Sequence, residues 1–126
     1  MVRIAKATLQ KCESVKFELS GDGPQRHVLE EHISDFAIQP SFYLRGHLED
    51  MDSFYSNLDI YLNTSVHEGI PMSTLEAMDR GIPIIAPKVG GIIEIIDEGV
   101  EGFLMTERSP EAFAEKIRQV AKDTIY

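Results

Sequence analysis

Five short segments with strand character, VKFELS, FYLRG, DIYLN, IPIIAP and GFLM, alternate with segments whose apolar residues recur at helical spacing. This alternation limits the possible folds more than any other feature. In VKFELS, Val15, Phe17 and Leu19 share one face and charged or polar residues the other, the period-two pattern of a strand. IPIIAP is nearly all apolar, as a strand covered on both faces must be. Helices are predicted from Val2 to about Cys12, and from Pro24 onward with Val28, Leu29, His32, Ile33 and Phe36 in register. A short one follows from Asp52 to Asn57, with Phe54 and Leu58 facing inward, and another runs to about Arg80, where Gly81 occupies the place of a left-handed cap. Gly90-Gly91 opens a turn or two of helix, and Ser109-Pro110 begins the last, which buries Phe113, Ile117 and Val120. Such an order predicts an α/β fold: a doubly wound parallel sheet with right-handed crossovers and helices on both faces. The loops SGDGP, RGHLED, TSVHEGIPMS and PKVGG should then gather beyond the carboxyl ends of the strands, where such sheets bind ligands. The first helix has no strand before it, so a βα unit reads as beginning before Met1.

The 126 residues, 43% hydrophobic and 26% charged, suit one globular domain. No apolar run approaches the roughly 20 residues that span a bilayer. MVRIAKATLQKC lacks the apolar centre of a secretory signal, and the single cysteine, Cys12, excludes an intrachain disulfide; both suit a cytoplasmic location. A formal charge of −9 without a basic stripe argues against a nucleic-acid surface. A phosphate-bearing ligand must therefore be held by local geometry. GDGP lacks the Lys-Ser/Thr of a P-loop, so it is not one. The four histidines are scattered: His27 and His32 are five apart and share no helical face, while His47 and His67 stand alone. Phe42, Tyr43, Tyr55 and Tyr61 are spaced as core and strand residues, and residues 98–102 read as a turn.

The stretch NTSVHEGIPMSTLEAM holds the chemistry. Glu68 and Glu76 flank a Gly69-Ile70-Pro71 turn where a strand hands over to a helix. Each acid has a structural explanation: Glu68 as a solvated loop residue, and Glu76 as the far end of a Ser73-Thr74-Leu75-Glu76 capping box. Their combination suggests more. Backbone N–H groups from about Ile70 to Leu75 are left unpaired at the helix start, a ready anion site. Two carboxylates there would repel a bare phosphate, but they suit a ligand whose phosphates are flanked by hydroxyls.

HEGIPMSTLEAMDRGIPIIAPKVGGIIEIIDEGVEGFLM, preceded by FELSGDGP and FYLRGHL, resembles the nucleotide-sugar-binding half of family-4 retaining glycosyltransferases, from about Val15 to Tyr126. These enzymes have the GT-B fold of two facing Rossmann-like domains. The resemblance implies that residues 1–126 are the C-terminal, donor-binding domain, lacking its first strand, with the N-terminal acceptor domain absent. It places Glu68 at the reacting centre, accepting hydrogen bonds from the donor sugar, and Glu76 on the ribose hydroxyls. The backbone of Gly69, Ile70, Pro71 and Met72, with Ser73, Thr74 and Leu75, would hold sugar and diphosphate. The main chain of Arg45, Gly46, His47 and Leu48 would line the base pocket, beside the turn of Gly21 and Gly23. The implied reaction is sugar transfer from a nucleotide-diphosphate donor to an acceptor hydroxyl with retention, without a divalent metal, the leaving diphosphate helping to take the acceptor proton. Polysaccharide biosynthesis is the implied setting.

The sequence departs from the family in one respect. The Arg and Lys that clamp the diphosphate come from a region before Met1, and neither Arg3 nor Lys6 fits that pattern; Lys88 can offset the charge only in part. The isolated chain is therefore expected to bind nucleotide weakly and to transfer no sugar unaided. Expected partners are the donor and the acceptor domain of a parent chain, with no nucleic acid and no transmembrane segment, though the parent may meet a membrane surface. Other readings are an epimerase or phosphorylase on the same two-domain plan, and a non-catalytic nucleotide-sugar-binding module.

Overall fold

A computed structural model of the chain describes residues 1–20, 25–64 and 72–124, the last three by backbone alone. The order is α1 (Val2–Leu9), β1 (Phe17–Ser20), α2 (Arg26–Asp35), a 3₁₀ turn, β2 (Phe42–Gly46), α3 (Met51–Ser56) and β3 (Tyr61–Leu62). There follow α4 (Met72–Asp79), β4 (Ile84–Pro87), α5 (Ile92–Ile95), β5 (Gly102–Met105) and α6 (Pro110–Thr124). The expected alternation is present, with β3 shorter than DIYLN and α1 ending before Cys12. Among the described residues all pairings are parallel, and they form two pieces: β1 beside β2, and β3-β4-β5.

Strand β4 shows why the sheet is covered on both faces. Its successive side chains point to opposite sides, so Ile85 enters one core, while Ile84 and Ala86 enter the other. The first core lies under α1, α2 and α6 and holds Ile4, Phe17, Ile33, Phe113 and Ile117. In it the rings of Phe17 and Phe42 stack across β1 and β2 with centroids 5.9 Å apart. The second core lies under α3, α4 and α5 and holds Tyr55, Ala77, Ile92 and Ile96. On α3 the fully buried residue is Tyr55, 1% exposed; Phe54 and Leu58, expected to point inward, are only half-buried. His32, placed in register on α2, is exposed. Tyr55 belongs to the second core, whose place periodicity alone does not locate.

The helix ends follow sequence-coded rules. Gly81 has φ +74°, with Gly81 N–H donating to Met78 O at 2.9 Å and Ile82 N–H to Ala77 O at 3.1 Å. This Schellman pattern brings Ile82 back onto Ala77. Helix α2 ends the same way with Ala37 in the glycine position, at φ 56°. At α6 the Ser109 hydroxyl accepts from Ala112 N–H at 3.2 Å and Pro110 opens the helix, as expected.

Candidate functional site

The exits of β3, β4 and β5 meet the starts of α1 and α6 on one rim. A cavity of about 360 Å³ there is bordered by the start of α1 at Met1 to Ile4, Thr64 beyond β3, Pro87 at the end of β4, and Arg108 and Pro110 beyond β5. Arg3 and Arg108 give this cavity a basic wall, although the motif had set Arg3 aside. None of the described residues assigned to the donor lines it. Lys88 is exposed just past β4, with its N–H bound to Met105 O at 2.9 Å.

Five assigned residues form the first turns of α4. Met72 is 67% exposed, Ser73 and Leu75 are half-buried, Thr74 is fully buried and Glu76 is exposed. Ser73 lies inside the helix rather than at its cap, so the capping box does not form as expected. Its hydroxyl instead accepts from the Tyr61 hydroxyl at 2.6 Å, and its carbonyl accepts from the Tyr55 hydroxyl at 3.4 Å. One position on, the Thr74 hydroxyl accepts from Asn63 Nδ2 at 3.2 Å. Thr74 is thus consumed by packing and can offer a ligand its main chain only. Tyr61 and Asn63, alternate residues on the same side of the chain at β3, therefore fasten the start of α4 to the sheet.

Glu76 stands beside Tyr55. Burial, then the hydrogen bond and charge of the Glu76 carboxylate, push the Tyr55 hydroxyl up to about 12. Arg80 completes the cluster: Nη1 donates to Glu76 O at 3.0 Å, Nη2 binds the Asp52 carboxylate, and the guanidinium lies 4.6 Å from the Tyr55 ring centre. Asp52 raises the Arg80 pKa further, chiefly through that hydrogen bond. Among the described residues no ion pair is made to the Glu76 carboxylate, which is exposed on α4 and close enough to Arg80 for the two charges to interact.

The second assigned group lies at the end of β2. Arg45 donates from Nε to Glu18 Oε1 at 2.6 Å and lies 4.8 Å from the Tyr43 ring centre. Gly46 has φ +70°, His47 is exposed and Leu48 half-buried. No hydrogen bond or ion pair among the described residues joins this loop to α4 directly. They are linked through α3, whose cap Asp50 lies two residues after Leu48 and which reaches α4 through Tyr55 and Asp52. Gly21, Gly23, Glu68, Gly69, Ile70 and Pro71, with Pro24 and His67, lie outside the described residues. Among the described residues no three His, Cys, Asp or Glu side chains come together to hold a metal, and no helix is long and apolar enough to cross a membrane.

Sequence reasoning missed Tyr55, Tyr61, Asn63 and Arg80. Period two along β3 put Tyr61 and Asn63 on one side, which was a usable signal; Arg80, four residues beyond Glu76, carried the i,i+4 spacing of a paired helix face. What could not be read was which helix those faces would meet.

The parallel sheet, the two covered faces and the rim define a nucleotide-binding type of α/β domain, and the family follows from comparison. The chain belongs to the family described as glycosyl transferases group 1, which matches residues 1–123. Its fold is that of the C-terminal domain of GT-B glycosyltransferases. The C-terminal domain of a group 1 glycosyl transferase, LpcC from Francisella tularensis, superimposes with a TM-score of 0.84 at 26% identity, covering 98% of this chain and 67% of that one. HepE from Anabaena, solved with UDP-glucose, gives a TM-score of 0.85 at 28% identity over 98% of this chain and 35% of its own. The sulfoquinovosyl transferase of Arabidopsis thaliana is 28% identical over 125 residues, 97% of this chain and 24% of its own length. This chain thus spans between a quarter and about a third of the length of these two relatives.

Proposed function

We propose that this chain is the donor-binding half of a retaining glycosyltransferase that moves a sugar from a nucleotide-diphosphate donor to an acceptor hydroxyl held by a facing N-terminal domain. The observation that carries the reading is the start of α4. It is pinned from behind by Tyr55, Tyr61 and Asn63 and open in front at Met72 and Glu76. A pinned helix start presents N–H groups and the positive end of its dipole to a diphosphate without reorganising when the ligand arrives. Glu76, exposed and without an ion pair among the described residues, accepts hydrogen bonds from the ribose hydroxyls, and Glu68 does the same for the sugar. The Arg45 to Leu48 main chain takes the base.

In the reaction, the bond from the anomeric carbon to the diphosphate oxygen breaks and the acceptor oxygen bonds to that carbon on the same face. The acceptor proton passes to the departing diphosphate. This chain supplies binding and charge stabilisation; the facing domain supplies the acceptor and closes the crevice. Alone, the chain binds donor and turns none over.

UDP-glucose is the first donor to test, because HepE, solved with it, shares this fold at 28% identity. Titration calorimetry of the chain with UDP-glucose, UDP, GDP and ADP should give saturable binding of one nucleotide class, weakened about tenfold by Glu76→Ala, the cost of one lost charge-assisted hydrogen-bond pair. No binding of any of them by a parent enzyme carrying this domain would refute the reading.

A further inference from the structure

Strand β2 leaves its ladder irregularly at the loop assigned to the base. Leu19 of β1 faces Leu44, but the next residue, Ser20, faces Gly46, so Arg45 is an extra residue with no partner opposite it. Such a residue bends its strand and turns the following main chain out of the ladder. Gly46 carries the bend further at φ +70°, a conformation that side chains disfavour. Gly46, His47 and Leu48 then lead out towards α3.

Two arginines hold this bend, one from each face of the sheet. Glu18 and Tyr43 alternate with the core residues Phe17 and Phe42, and Arg45 joins them on their face: it lies against the Tyr43 ring and donates to Glu18. From the face of the first core comes Arg26, in the first turn of α2. Its Nη2 donates to Leu44 O at 3.5 Å, and its Nη1 lies 3.5 Å from where a Cβ on Gly46 would stand. Its Nε is taken by Glu30, one helical turn on, at 2.9 Å. An exposed pair of that spacing stabilises little by itself. Its effect is to fix the plane of the guanidinium, so that both Nη groups stay on the end of β2.

We propose that Arg26 is a positioning residue for nucleobase recognition: its guanidinium, set by Glu30, holds the bulged end of β2 so that the main chain of residues 45–48 meets the base in one geometry. This rests on the donor reading, in which that main chain takes the base. A side chain that binds a base can adjust its rotamer. A backbone group cannot, because it is aimed by the dihedrals of its neighbours, and so it depends on whatever fixes them. Arg26 acts through the loop and needs no contact with the ligand.

The test compares the chain with Arg26→Ala and Arg26→Lys. The ligands are whichever of UDP, GDP and ADP the chain binds, and ribose 5-diphosphate, which keeps the sugar and both phosphates but has no base. Calorimetry should show the nucleotide weakened about tenfold in both variants and ribose 5-diphosphate less than about twofold, the size of effect that one hydrogen bond from a charged donor has. Lysine keeps the charge and loses the fork. Full affinity in Arg26→Lys would mean that the charge simply attracts the diphosphate, and it overturns the proposal. Equal weakening of both ligands, or of neither, does the same. NMR relaxation without ligand separates holding the loop from touching the base: backbone order at Gly46, His47 and Leu48 should fall in Arg26→Ala, and unchanged order overturns the proposal. The donor reading fails differently. If neither the chain nor a parent enzyme carrying it binds UDP, GDP or ADP, both fall; if nucleotide binds and the two ligands respond alike to Arg26→Ala, the donor reading stands and the role of Arg26 falls alone.

Discussion

Tyr61 shows how a residue without a ligand of its own can govern a site. Its hydroxyl donates to Ser73 at 2.6 Å and holds the helix start that we assign to the diphosphate. Tyr61→Phe keeps the ring in its core and removes that bond, worth about 0.5–1.5 kcal/mol. Donor affinity measured by calorimetry should fall about three- to tenfold, with the melting temperature changing by only a few degrees; unchanged affinity would show that the bond serves packing alone. Gly102 tests the sheet at the same scale. A Cβ there would lie 2.8 Å from the carbonyl carbon and 2.9 Å from the Cβ of Ile84 on the neighbouring strand, and paired backbone cannot yield. Gly102→Ala should cost about 3 kcal/mol or more in urea unfolding. At this scale the sequence was half legible. Ser73, Thr74 and Glu76 could be singled out because helix starts have local chemistry, whereas their partners lie 11 to 18 residues earlier, at Asn63, Tyr61 and Tyr55. Those partners are fixed by how β3 and α3 pack against α4. The capping box failed for that reason: the Ser73 hydroxyl that would have closed it accepts from Tyr61 instead.

Elements were the most legible level, because their ends are written locally. Ser109-Pro110 and Gly81 mark helix ends by rules that need no tertiary information, and the structure keeps both. Ser109→Ala removes the bond to Ala112 N–H and should lower stability by about 1 kcal/mol in chemical denaturation. Helix α2 ends under the opposite influence. Ala37 is held at φ 56° because the turn brings Ile38 back onto Ile33, and both isoleucines are buried in the first core. A left-handed alanine costs about 1–2 kcal/mol, of which the looser unfolded chain of glycine takes back about 0.4–1. Ala37→Gly should therefore stabilise by up to about 1 kcal/mol, a rise in melting temperature of a few degrees. This end gave no sequence signal, since alanine favours helix continuation and only the two isoleucines five apart hint at the reversal. The division of the sheet into two pieces was equally unreadable, because each strand's pattern reports its covered faces and not its edge neighbours.

The molecule as a whole unites two cores through β4, and Tyr55 is the group whose ionisation reports on that union. It is 1% exposed in the second core, beside the Glu76 carboxylate, and burial with that carboxylate raises its folded pKa to about 12, from an ordinary 10. Below pH 10 both folded and unfolded forms keep the proton, and the contribution is fully present. Between about pH 10 and 12 the unfolded chain has lost its proton while the folded chain retains it, so unfolding is favoured as pH rises. The loss by the upper end of that window is about 2–3 kcal/mol, two pKa units at 1.36 kcal/mol each. Tyr55→Phe has no such proton to lose. Its starting stability is lower, for want of the bond to Ser73, but its stability should fall less steeply with alkali, and urea melts of the two chains from pH 9 to 12 should converge. Parallel curves would mean that the Tyr55 hydroxyl reaches solvent without global unfolding, and hence that the second core opens on its own rather than with the first.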